Sequence, residues 1–131
     1  FTSLIDLFFY QAGKQNPQSA FLEWLNPKNK KKFTWGETSS NIYKLAKTLK
    51  ASIADGDRCL LVSENRPEWL ISDIAIMLAN GITVPAYTTY TEKDYKYLIE
   101  DCQPSVIIVS NDEMHDKLKN IINERSFLFT G

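Results

Sequence analysis

From residue 58 onward the chain alternates between short unbroken apolar runs and longer stretches in which apolar positions recur every third or fourth residue. The runs at residues 58–63 and 106–109 ("RCLLVS" and "VIIV") show no polar alternation, the pattern of strands covered on both faces of a parallel sheet. Residues 82–84 give a further strand that Pro85 ends, and residues 127–129 begin another. Between them, residues 69–79 form a helix apolar almost all round, stopped at Asn80-Gly81, where glycine is expected to take the left-handed position. Tyr95, Leu98, Ile99 and Cys102 mark an amphipathic helix, and Met114, Leu118, Ile121 and Ile122 one more. Connections this short between parallel strands are right-handed crossovers. The predicted class is α/β: an open, mostly parallel sheet with helices on both faces.

Upstream, Leu4, Ile5, Phe8, Phe9 and Ala12 fall at helical spacing before Gly13 and predict a short amphipathic helix. Residues 20–25 read as a strand, residues 26–32 as a turn, and Phe33-Thr34 as a second short strand, together a small hairpin. Thr34 and Glu37 have capping-box spacing, and Ile42, Leu45, Ala46, Leu49 and Ile53 extend a long helix to about Ser52. Asp55-Gly56-Asp57 breaks it. The expected organisation is residues 1–54 (helix, hairpin, long helix) followed by an α/β part at residues 55–131, with no repeat or linker dividing them.

A net charge of −1 supplies no field for nucleic acid, and no apolar run approaches the roughly 20 residues of a membrane span. Cys59 and Cys102 have no metal-ligand or redox spacing, which with the lack of a secretory signal points to a cytoplasmic location. The start at Phe1 and the apolar finish before Gly131 give the expectation that both ends are cut.

The segment "SENRPEWL", residues 63–70, joins a buried strand to a buried helix. Structurally, Asn65 caps the helix, Pro67 sits in its first turn and Glu68 completes a capping box at N3, with Trp69 burying a large ring. Functionally, a helix start at the carboxyl end of a strand is where α/β sheets bind anions, and Arg66 adds charge. Lys28, Lys30, Lys31 and Lys32 read as a solvated turn, His115 as an exposed helix residue, and the cysteines as small core hydrophobes. Phosphate-cradling glycine motifs and the nucleophile elbow are absent, so the residues themselves supply no catalytic residue and no metal site.

"FTWGE", "GDR", "SENRPEW", "ANGITVPAYTT" and "LIEDCQPSVIIVS" occur in that order, and together they resemble the amino-terminal part of the adenylate-forming (AMP-binding) superfamily. "ENRPEW" with "VPAYTTYT" is most similar to the long-chain fatty acyl-CoA synthetase branch. The resemblance implies a parent enzyme that activates a fatty acid with ATP and Mg²⁺ to acyl-AMP and passes the acyl group to CoA. The phosphate loop and the adenine-binding motifs of that family lie beyond the matched stretch, so this piece is expected to be inactive scaffold that binds no cofactor itself. Its partners would be the rest of the parent enzyme, with self-association of the isolated piece through uncovered apolar surface. Peripheral membrane contact would suit a fatty-acid enzyme, although no basic amphipathic helix supports it. By resemblance alone, Tyr87, Thr88 and Thr89 lie near the approach of CoA; as a plain turn, Tyr87 packs on the core. The alternative from a different class is a stand-alone, non-catalytic α/β binding or regulatory module.

Overall fold

The computed structural model describes residues 3–25, 30–64, 66–119 and 127–130. Helix α1 (Leu4–Lys14) is followed by an antiparallel hairpin, β1 (Ala20–Leu25) and β2 (Lys30–Thr34), and by the long helix α2 (Trp35–Lys50). Then β3 (Arg58–Val62), α3 (Pro67–Leu78), β4 (Ile82–Ala86), α4 (Glu92–Cys102), β5 (Val106–Val109), α5 (Asp112–Leu118) and β6 (Phe127–Thr130) alternate. The last four strands form one parallel sheet in the order β4-β3-β5-β6, as the unbroken apolar runs predict.

Alternation along the strands divides the core in two. Cys59, Leu61, Val106 and Ile108 face α2, α3 and, beyond them, Phe8 of α1. Leu60, Val62, Ile107 and Val109 face α4 and α5 through Tyr95, Ile99, Met114 and Leu118. Each fully buried aliphatic or aromatic side chain of this kind contributes about 1.5–3 kcal/mol. An aromatic group of Phe8, Phe21 and Trp35, with Phe21 and Trp35 ring centroids 3.9 Å apart, binds α1 and the hairpin to the start of α2.

Four local expectations are revised. Strand β2 begins at Lys30, inside the predicted turn, because Lys30 to Lys32 pair across to β1 in register with Leu25, Trp24 and Glu23. Strand β4 runs through Pro85 to Ala86; as an edge strand it tolerates a residue with no N–H to donate. The left-handed residue ending α3 is Asn80, with φ 64°, and not Gly81. Gly81 fits a tight space: a Cβ there would meet Ile53 Cδ1 at 3.0 Å and Ile76 Cγ2 at 3.1 Å, so both side chains would have to shift. Finally, α5 ends at Leu118, and Ile121 and Ile122 lie outside the described residues.

Candidate functional site

Chains leaving the carboxyl ends of β3 and β5 turn to helices on opposite faces of the sheet, α3 and α5. The crevice between two such strands is where open α/β sheets hold ligands. Here Arg66 fills it. Its guanidinium donates from Nε to Glu68 Oε2 at 2.8 Å, from Nη2 to Glu68 Oε1 at 3.2 Å and from Nη1 to the Ser110 carbonyl at 3.1 Å. The Arg66 side chain is only 10% exposed. Its bonding to Glu68 is the main influence raising the guanidinium's pKa, against burial, which lowers it. The space left, about 20 Å³ beside Ser63, Ser72 and Ser110, holds no more than a water-sized group.

This geometry corrects the capping expectation. Arg66 itself, extended at φ −149° and ψ 161°, is the N-cap of α3 and makes no side-chain cap hydrogen bond. Pro67 drives that backbone by disfavouring helical angles in the residue before it. Glu68 therefore falls at N2 and not at the capping-box position, and its carboxylate grips Arg66 in a fork. Asn65 lies outside the described residues. Neither is Arg66 an anion-binding charge, since Glu64, Glu68 and Ser110 already surround it.

The larger space lies next to this crevice. A cavity of about 420 Å³ opens between the β3–α3 connection, through Ser63, Glu64 and Trp69, and the loop after β4, through Tyr87, Thr88 and Thr89. All three residues singled out by resemblance are thus brought to one wall. Tyr87 is 70% exposed, so it is not packed on the core; its ring meets Tyr90 edge-on with centroids 5.5 Å apart. Trp69 is half-buried, one part against the helical core and one lining the cavity, instead of the fully buried anchor expected.

The loop is fixed at both ends. Thr91 N-caps α4 in a capping box with Asp94, their backbone and side-chain groups bonding at 3.1 and 3.2 Å. The buried Tyr95 hydroxyl donates to the Tyr87 carbonyl, and burial pushes the Tyr95 phenol's pKa up.

Chemically, the cavity combines two aromatic surfaces, Trp69 and Tyr87, with hydroxyls of Ser63, Thr88 and Thr89 and the carboxylate of Glu64. Among the described residues no lysine or arginine lines it, so it suits a neutral, amphipathic segment with hydrogen-bond donors better than a phosphate. Glu64 and Trp69 escaped the sequence reading as members of this wall. The available signal was their place at the carboxyl end of a buried strand.

Other candidates resolve as structural. Lys32 pairs with Glu23 at 3.9 Å on the hairpin surface, both side chains largely exposed; Lys28 lies outside the described residues. Cys59 and Cys102 are buried and unpaired with each other, and burial, reinforced by Asp57, raises the Cys59 thiol to about 11. His115 lies 3.8 Å from Asp116, and among the described residues no group of histidine, cysteine, aspartate and glutamate could hold a metal. No described helix is long and apolar enough to cross a membrane.

A family model described as "AMP-binding enzyme" matches residues 8–128. Human acyl-coenzyme A synthetase ACSM5, mitochondrial, is 32% identical over 104 residues, 77% of this chain and 18% of that protein. The long-chain-fatty-acid–CoA ligase of Bacillus subtilis is 35% identical over 79 residues, 60% of this chain and 14% of that protein. Among solved structures, a fatty acyl-adenylate ligase from Legionella pneumophila superposes with a TM-score of 0.82 at 21% identity, covering 98% of this chain and 23% of that one. The chain spans about a fifth or less of the length of these curated relatives.

Proposed function

The chain belongs to the AMP-binding enzyme family, and from that premise we propose that it is the amino-terminal part of an AMP-forming fatty acid–CoA ligase. In that reading a fatty acid, long-chain by class, is joined to AMP from ATP with release of pyrophosphate, and its acyl group then passes to the thiol of CoA. The match of residues 8–128, together with relatives named as acyl-CoA synthetases and long-chain-fatty-acid–CoA ligases, carries the proposal. Residues 1–54 and 55–131 together would form scaffold of the enzyme's large domain, with the adenylating groups supplied by the rest of the protein. Mg²⁺ would accompany the phosphates of ATP there.

What this chain contributes is one wall of a cavity. Tyr87, Thr88 and Thr89 would meet the amide- and hydroxyl-bearing arm of CoA, since the lining is neutral or acidic and rich in hydroxyls. The phosphorylated end would be turned away from Glu64. The stand-alone binding module has no observation in its favour.

Steady-state kinetics of the full-length enzyme test both levels. Formation of a fatty acyl-CoA from ATP, CoA and a fatty acid is the expected activity, and its absence across fatty acids of all lengths would end the proposal. Thr88→Val and Thr89→Val should each raise the KM for CoA about 3- to 10-fold, the worth of one neutral hydrogen bond, with the KM for ATP unchanged. An unchanged KM for CoA would remove these residues from the CoA path.

A further inference from the structure

We infer that Lys117, on α5, is a positioning residue for the cavity, holding the loop of residues 87–91 in place from behind. Nothing in its sequence position, 27 residues from Tyr90, connects it to that loop. In the fold, its ammonium donates to the Tyr90 carbonyl at 2.7 Å and lies 5.2 Å from the centroid of the Tyr95 ring. Tyr95 in turn donates from its hydroxyl to the Tyr87 carbonyl and packs its ring 5.6 Å from that of Tyr90. Two carbonyls of one loop are therefore held by two side chains that also hold each other.

The choice of residue follows from where the donor must come from. Helix α5 packs on the sheet through Met114 and Leu118, which leaves position 117 half-buried at the margin facing the loop. Only a long side chain ending in a donor reaches a carbonyl from there. A charged donor gives a stronger bond than a neutral one, and the Tyr95 ring face steadies it. The neighbouring Asp116 carboxylate lies instead near Lys119, at 3.4 Å, and His115, at 3.8 Å. Tyr87 carries the first held carbonyl, and Thr88 and Thr89 lie between it and that of Tyr90, so the line of these three residues along the cavity is set by Lys117 and Tyr95 together. Lys117 does not line the cavity, and its role is to place the residues that do.

The bearing of this on CoA rests on the proposed function above, whereas the positional role does not, so the test uses no ligand. The chain carries three tryptophans, and labelling with 5-fluorotryptophan gives each a ¹⁹F resonance, that of Trp69 assigned with Trp69→Phe. Trp69 faces residues 87–89 across the cavity, and Trp35 sits with Phe21 away from it. In Lys117→Met the Trp69 resonance should shift by more than its linewidth while that of Trp35 stays in place, and Lys117→Arg should restore the Trp69 position. Lys117→Gln serves as the neutral variant should the methionine protein not fold. A Trp69 resonance unmoved in the neutral variant, or moved together with that of Trp35, would overturn the inference.

Discussion

At the scale of single residues, Arg66 shows how one side chain decides between two uses of the same place. The sheet's switch-point crevice is occupied by its guanidinium, bonded to Glu68 and the Ser110 carbonyl, so the larger open space lies one strand over, in the cavity beside β4. Removing the arginine leaves Glu68, whose side chain is 24% exposed, without its fork partner. Arg66→Met is expected to lower unfolding stability in urea by about 3 kcal/mol, and Arg66→Lys to recover only part, since an ammonium cannot make the paired bonds. The KM for ATP of the full-length enzyme should hardly move in a variant that still folds. Asp57 gives a residue-level prediction in pH. The Ala54 N–H, bonded at 2.9 Å, and the Ser105 hydroxyl hold its carboxyl below the ordinary 3.8. Because the folded value is the lower one, the contribution is complete above that ordinary value and is lost as pH falls through the folded one. The difference in urea midpoint between the wild type and Asp57→Asn should therefore be constant from pH 7 to about pH 5 and shrink below about pH 4.

At the scale of elements, the strands were the most legible part, because Cys59 to Val62 and Val106 to Val109 have both faces buried and so leave no polar position in the pattern. The long helix was equally legible through Thr34 and Glu37, whose reciprocal bonds of 3.0 and 3.2 Å form the predicted capping box. Helix α3 was misread at its start by one residue: Pro67 at N1 keeps Arg66 out of helical angles, and that backbone signal outweighed the side-chain cap read at Asn65. Strand β2 was misread because lysine is a turn residue by composition and an edge-strand residue by pairing. Tyr87, Thr88 and Thr89 were found only through resemblance. Their partners in the wall, Glu64 and Trp69, lie on another loop, and nothing short of the sheet's strand order brings the two loops together. Thr91 serves two ends at once, as cap of α4 and as the fixed end of the cavity loop. Thr91→Ala should cost about 1 kcal/mol in urea melts, the usual worth of an N-cap, and a loss under about 0.3 kcal/mol would mean the capping box carries no stability.

At the scale of the whole molecule, the two hydrophobic layers do different work. The layer facing α2 and α3 joins the helix and hairpin of the first third to the sheet, whereas the layer facing α4 and α5 carries Tyr95 and, at its margin, Lys117, the groups that shape the cavity loop. Substitutions in the first layer should therefore read out as stability, and those in the second as cavity geometry also. The strand order β4-β3-β5-β6 has a consequence for growth of the sheet as the chain emerges during synthesis. In chain order β3 comes first, β4 lies on one of its edges, β5 on the other, and β6 outside β5, so the sheet can grow strand by strand. Every newcomer docks on a free border, and none has to part a pair already joined.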